Sequence, residues 1–578
     1  MKMEKFHTDG EKLSNAEVFK NEMTRRSFLK KSTGVAGITL GLTLTNSLNI
    51  LPVEAVSSSS ISHSIGKKPN LVFPVISDVH IHSSSNKTLE KFITTLEQLN
   101  QAAPKQDAFV VVGDLTDYGV LSEYDKFMSA YNARKQAKAA SMFAIGNHDY
   151  WNGLSVADAQ KRFLEKTGME AIYYHKVIKG YHFIVLGTED GRTEGTFSVK
   201  QIQWLGEQLK IASADDRKKP IFVFHHQPIK ETIYGSEWGF SANRDLFYNT
   251  LKPYPQVISF SGHTHYPLDD PKIIHQKDFT SIGTSTGAYL WLDAGRIQGE
   301  VPEGADILNQ ALIVEAYHNK VLIKRRDIHN DDWTGEPFEI SLPANKQNFK
   351  YIENRDKKPP FFTNDAMLSI VYEKAAATSL AIMFTQAKDK LLVHDYRITA
   401  KNTETNQIEK EFLAFSEFYK DPVPNPLTLP LEGLQPNTTY EIEVRALDAY
   451  GNASKNSLKV LGKTLDGTVE DVTINLSKSK LKGTEDQVEV TIEHARASKS
   501  DWIGLYEVNE KPGDQAAIWW MYTQITEKTY TFTYNPKDNI YPDRYQAGST
   551  YKFVYFYGSG YDAVASATFA LESDLVTA

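Results

Sequence analysis

The chain has 578 residues, of which 41% are hydrophobic, 24% charged and 11% aromatic, with a formal charge of −8 and no cysteine. This length exceeds one core, and the composition excludes both a wholly disordered chain and a multi-span membrane protein. Disulfides, thiolate nucleophiles and Cys-bound zinc are ruled out, and no basic run interleaved with aromatics marks a nucleic-acid partner. Any metal must be held by His, Asp, Glu and Asn.

In chain order the first feature is an address. "MTRRSFLKK" places Arg25 and Arg26 ahead of Phe28 and Leu29, before a weakly apolar stretch rich in Gly and Thr. It resembles a twin-arginine export signal. Thr and Asn residues between Gly34 and Leu51 argue against a permanent membrane span, and Val53 to Ala55 approximates a small-residue cleavage rule. The expectation is a signal over residues 1–55 and a protein that is secreted or associated with the cell envelope.

From Asn70 onward, runs rich in Val, Ile and Phe alternate with helical patterns, the signature of a layered α/β domain. The runs are "LVFPVIS", "AFVVVG", "MFAIG", "HFIVLG", "IFVFH" and "VISFSG". Between the first two, Leu89, Phe92, Ile93, Leu96 and Leu99 form one helical stripe. Further on, Ser198 with Gln201 three residues later predicts a capping box opening a second helix.

The segments ending these runs are "SDVHIH", "GDLTDYG", "GNHDYW", "GTEDG", "HHQP" and "GHTH". Five of the six place His, Asp or Asn at the C-terminal edge of a strand, where open α/β sheets gather ligands. Asp78 and His80 are two apart, so an extended backbone sends both to one face. Asp114 offers two oxygens for two cations. Asn147 offers a neutral oxygen with His148 beside it, and His263 and His265 repeat the two-apart spacing. The glycines before Asp114, Asn147 and His263 are expected to supply permissive turns.

These ordered blocks, DxH, GDxxD, GNHD, a strand-end His and GHxH, resemble those of the calcineurin-like metallophosphoesterase superfamily, over roughly residues 68–345. The resemblance implies a metallophosphoesterase β-sandwich flanked by helices. It implies two divalent ions, Mn, Fe or Zn, held by Asp78, His80 and His265 on one side and Asn147, His225 and His263 on the other, with Asp114 bridging. It also implies hydrolysis of a phosphomonoester or phosphodiester by a hydroxide shared between the ions. His148 is then the candidate general acid and Asp117 the carboxylate that orients it. Adjacent strand residues face opposite ways, so one of His225 and His226 reaches the metals. Alignment of "HHQP" with the family's "HHPP" selects His225, leaving His226 near substrate or buried.

His82 is read as lying behind the ligands or at the mouth of the site. Tyr150, Trp151, Tyr234 and Trp238 line a substrate surface or pack in loops. His318, His394 and His494 are read as structural or solvated.

After a charged, proline-bearing linker at residues 353–365, "GLQPNTTYEIEVRALDAYGNAS" resembles a fibronectin type III domain, over residues 356–466. Residues 467–578 read as a further β-sandwich, with "DWIGLY" loosely similar to SKICH-like sandwiches. The fold expected is therefore α/β followed by two all-β sandwich domains. Trp519, Trp520 and Tyr557 are read as core aromatics, with glycan or cell-surface polymer binding as the other use. Two rival functions are a surface adhesin carrying an inactive domain and metal-dependent cleavage of a C–N bond. The substrate stays open among cyclic nucleotides, nucleotides, wall-polymer diesters and simple monoesters.

Overall fold

A computed structural model describes residues 68–467, 472–483, 485–494, 501–513, 515–523, 529–557, 561 and 563–572. The export signal expected over residues 1–55 lies outside the described residues.

All six apolar runs form strands. In order, the elements are β1 (Leu71–Ile76), α1 (Lys87–Ala102), β2 (Ala108–Val112), α2 (Leu121–Arg134), β3 (Ala140–Ala144), α3 (Val156–Thr167), β4 (Tyr174–Ile178), β5 (Tyr181–Val185), α4 (Val199–Asp215), β6 (Ile221–His225), α5 (Arg244–Leu251), β7 (Val257–Ser261), β8 (Ile274–Gln276) and β9 (Thr280–Gly283). There follow β10 (Arg296–Ile297), β11 (Gln310–Ala316), β12 (Lys320–Asp327), β13 (Asp332–Trp333) and β14 (Phe338–Ser341). One sheet has the order β13-β12-β11-β1-β2-β3, with β14 also on β12; the other runs β4-β5-β6-β7-β9-β8.

Alternation along the strands decides the layers. On β6, Phe222 and Phe224 face inward, and Phe73 of β1 meets Phe222 and Phe183 with ring centroids 4.9 Å away in each case. Val223 faces outward onto Leu205 and Leu209 of α4 and Phe247 of α5. On the other sheet, Phe92 of α1 stacks on Phe127 of α2 at 4.8 Å, over Phe143 of β3. Burying each such ring contributes about 1.5–3 kcal/mol. The result is a β-sandwich flanked by helices, as expected for the metallophosphoesterase fold.

Two all-β sandwiches follow. The first has strands β15 (Leu368–Ile370), β16 (Ser379–Phe384), β17 (Val393–Asn402), β18 (Ile408–Phe415), β19 (Leu427–Glu432), β20 (Thr439–Asp448) and β21 (Leu458–Lys463). They pair as β15-β16-β19 and β10-β18-β17-β20-β21, so β10 of the preceding segment joins this sheet through Arg296 opposite Leu413. The second has β22 (Thr473–Leu476), β23 (Lys480–Lys482), β24 (Val488–Glu493), β25 (Trp502–Glu507), β26 (Trp519–Tyr522), β27 (Thr529–Tyr534), β28 (Thr550–Phe556) and β29 (Ala563–Glu572). Its sheets are β22-β24-β27 and β23-β29-β28-β25-β26. Period-2 alternation on β26 buries Trp519 against Phe532, Tyr534 and Phe553 and turns Trp520 outward, 44% exposed.

The first sandwich is clamped to the α/β region by a buried histidine. His394 lies with Nε2 3.1 Å from Asp270 and Nδ1 2.8 Å from Asp395, and Arg296 Nε donates to Asp395 at 3.0 Å. Burial opposes a charge on His394, but the two carboxylates raise its pKa to about 9.

Candidate metal centre

Strands β1, β2 and β3 of one sheet and β6 and β7 of the other end at a common edge, and their following residues converge there. Asp78, His80 and His265 form one cluster, Asp114, His226 and His263 a second, and His80, Asp114 and His148 a third. His265 Nε2 is 3.2 Å from Asp78 Oδ1 and 3.1 Å from His80 Nε2; His226 Nε2 is 2.9 Å from Asp114 Oδ2. These contacts join residues as far as 187 positions apart.

The backbone differs from the extended one that the two-apart spacing implied. Asp78, His80, Asp114, His263 and His265 all have positive φ, between 46° and 72°. Each lies past its strand end in the left-handed region, which Asp and His tolerate better than most residues but which costs on the order of 1–3 kcal/mol. Such strain persists where surrounding contacts hold it. Asp78, for instance, accepts the His263 N–H on both oxygens at 3.0 Å.

The glycines follow two different rules. Gly113 has φ +87°, and a Cβ there would meet the His226 ring at 2.3 Å. Gly146 and Gly262 have no positive φ; a Cβ on either would strike the Asp114 or Asp78 carboxylate at 2.2 or 2.5 Å. Those two are small to admit ligands, rather than to permit a turn.

The histidine assignment is also corrected. His225 belongs to the outward face of β6 with Val223, among Phe197, Phe240 and Phe247. Its Nδ1–H donates to the Gln227 carbonyl at 2.7 Å and its Nε2 accepts from the Ser259 hydroxyl at 2.7 Å, so neither nitrogen is free for a metal. His226 faces the centre instead. Its Nδ1–H donates to the Val112 carbonyl at 2.9 Å, which turns Nε2 toward Asp114. His265 is fixed likewise by the Tyr289 carbonyl at 2.8 Å.

This anchoring tests whether the donor set suits a cation. With Nδ1 protonated, the Nε2 lone pair of His226 points at a carboxylate oxygen, and that of His265 points at another imidazole nitrogen. Two acceptors face each other unless a proton or a metal lies between them. The buried Nε2 atoms of His226 and His263 have no hydrogen-bond partner among the described residues. Imidazole with carboxylate suits Mn, Fe or Zn, and anchoring through the other ring nitrogen is how metal-binding histidines are usually held. The residues present fit divalent metal.

Electrostatics agree with an ionised, cation-accepting centre. Burial works against charge on Asp114, yet His226 and His148 hold its carboxyl well below the usual range. Burial dominates at His263, which is pushed down to about 3, and at His225, down to about 4.

Asn147 is buried beside the cluster and its Oδ1 accepts from Gln227 at 3.0 Å. The amide oxygen keeps a second lone pair and is the one atom of this side chain that a cation can use. The His148 main-chain N–H donates to Asp114 at 2.9 Å, while its Nδ1–H donates to the Asp117 carbonyl oxygen at 2.9 Å. The Asp117 carboxylate is farther from His148, at 3.7 Å, and nearer His80 Nδ1, at 3.3 Å. The orienting group for His148 is thus the Asp117 main chain, and the carboxylate serves His80. His82, 3.7 Å from Asp117 and part exposed, lies at the mouth.

Residues 72–267 match the family model for calcineurin-like phosphoesterase. A cAMP/cGMP dual specificity phosphodiesterase of Mycobacterium tuberculosis is 29% identical over 34% of this chain and 63% of its own length. A "Probable glycerophosphodiester phosphodiesterase" of Arcobacter nitrofigilis is 25% identical over 33% of this chain and 70% of its own. A 3′,5′-cyclic-nucleotide phosphodiesterase of Nostoc is 24% identical over the same two shares, 33% and 70%. The chain thus spans less than two thirds of the first of these relatives. Residues 72–267 are a calcineurin-like phosphoesterase domain.

Within this phosphoesterase domain sequence reasoning placed His226 second to His225 and missed Gln227 and Asp149. The place of His226 was legible in the alternation of β6, since Val223 and His225 share the helix-covered face. Asp149 accepts from the main chain of Thr116 and Gly146 at 3.2 and 3.0 Å and from the hydroxyls of Thr116 and Tyr124 at 2.6 and 3.2 Å. It ties the Asp114 loop to the Asn147 loop, and burial beside Asp114 pushes its carboxyl up to about 6. Of the four aromatics, Tyr150 and Tyr234 are buried. Trp151 lies on the His148 ring at 3.7 Å and Trp238 lies 5.1 Å from Trp291, both partly exposed.

Proposed function

We propose that the protein is an exported, metal-dependent phosphoesterase that acts on phosphodiesters. The observation that carries this reading is the convergence of Asp78, His80, Asp114, His226, His263 and His265, with the buried Nε2 atoms of His226 and His263 lacking a hydrogen-bond partner among the described residues. The proposed ligand sets for two ions are Asp78, His80 and His265, and Asn147, His226 and His263, with Asp114 common to both. When bound, such ions supply charge neutralisation for phosphoryl oxygens and acidify water.

The chain's own residues do the rest. Asp114 is held ionised at the centre, and Asp149 keeps its loop in register with that of Asn147. His148 is poised beside it, with Nδ1 spent on Asp117 and Nε2 free to meet the leaving oxygen. Burial lowers His148 to about 4, so its acid role requires an anionic substrate to draw a second proton onto the ring. The diester preference rests on the named activities of the relatives.

The fibronectin type III reading of the first sandwich is supported by its 3+4 pairing and by Tyr440, whose hydroxyl accepts the Gln435 N–H at 2.8 Å. Export rests on Arg25 and Arg26 alone; an Arg25→Lys, Arg26→Lys variant retained inside cells supports it, and undiminished export removes it.

The test of the main reading is metal analysis of the purified chain together with hydrolysis of bis-p-nitrophenyl phosphate and p-nitrophenyl phosphate in added Mn. The expected result is two ions per chain, faster diester turnover, and loss of turnover by about a hundredfold or more in Asp114→Asn. Full metal loading with neither ester hydrolysed counts against the reading.

A further inference from the structure

The aromatic wall beside the metal centre leads into a second site. Tyr289 lies 4.6 Å from the His265 ring and Trp291 6.3 Å from Tyr289. Trp291 and Glu300 then form one side of a groove of about 330 Å³, with Tyr506, Trp520, Tyr522 and Tyr561 of the last sandwich on the other.

Several features of this groove call for a ligand. Trp520, Tyr522 and Tyr561 are 44–45% exposed although they cluster around one space. The Tyr506 side chain is fully buried, yet among the described residues its hydroxyl has no hydrogen-bond partner, and neither has the buried indole N–H of Trp291. Burying a donor without a partner is costly, so such donors are kept where something else satisfies them. In the same groove, the half-buried Glu300 carboxylate has no cation or hydrogen-bond donor among the described residues. Its backbone is also held at φ 54°.

We propose that this groove is a saccharide subsite, which takes a sugar ring carried on one side of the phosphodiester. The proposal rests on the phosphoesterase reading for its link to catalysis. A sugar lays a C–H face on an aromatic ring while its hydroxyls accept from Tyr506 and Trp291 and donate to Glu300. An anion would be repelled by Glu300. A quaternary ammonium would use the rings and the carboxylate but leave both donors unpaired. A flat base needs parallel plates, whereas Trp520 meets Trp502 at 83° and Tyr522 at 88°.

The experiment is calorimetric titration of the full chain with chitotetraose, cellotetraose and maltotetraose, and with choline and adenosine as rivals. At least one tetrasaccharide binds, and Trp520→Ala and Glu300→Gln each weaken it about tenfold while keeping the wild-type melting transition. Binding of choline or adenosine without any tetrasaccharide, or of no probe at all, overturns the subsite. Turnover of bis-p-nitrophenyl phosphate by the unaltered chain is read separately. Saccharide binding without turnover leaves the subsite and removes the phosphoesterase reading; turnover without saccharide binding does the reverse.

Discussion

At the scale of residues, the decisive pair is His225 and His226. They are chemically identical neighbours, and strand alternation gives them opposite surroundings, one among phenylalanines and one against Asp114. The two therefore fail differently on removal. His226→Ala is expected to lower bound metal and abolish turnover with a small change in stability. His225→Ala strands the Ser259 hydroxyl and the Gln227 carbonyl, and should cost about 1–3 kcal/mol of stability while metal content is kept. Metal analysis and denaturant melts of both variants check this, and equal metal loss in the two would return His225 to the site.

At the scale of elements, residue order was legible and backbone conformation was not. The apolar runs and the stripe of α1 depend on local periodicity, which a sequence displays directly. The left-handed conformations of Asp78, His80, Asp114, His263 and His265 depend on contacts such as the His263 N–H to Asp78, which no local pattern contains. The start of α4 shows the same division. Ser198 caps as expected, accepting the Gln201 N–H at 3.2 Å. Gln201 does not close the box; its side chain bonds Gly187 at the end of β5, and Glu189 takes the Ser198 N–H instead. Ser198→Ala is expected to lower stability by about 1 kcal/mol, read from a shifted denaturant midpoint.

At the scale of the whole molecule, His394 couples the first sandwich to the α/β region. It faces Asp270 and Asp395, with Arg296 on Asp395 and the rings of Tyr234, Phe415 and Phe418 around it. A histidine raised to about 9 when folded adds stability that is complete below its unfolded pKa of about 6.5 and is lost as pH rises through 9. Stability should therefore fall between about pH 6.5 and 9, and His394→Gln should flatten that slope. Urea melts at four pH values in this window measure it, and an unchanged slope in the variant would assign the dependence elsewhere.

The sequence by itself determined which elements form, the order of the metal-binding blocks and the β character of the C-terminal half, because each follows from local periodicity and residue chemistry. Tertiary structure alone decided which adjacent histidine enters the centre, that the Asp117 carboxylate serves His80, and that the last sandwich walls a groove beside Trp291. Those outcomes depend on side-chain directions set by packing between residues tens to hundreds of positions apart, and such packing leaves no signature along the chain.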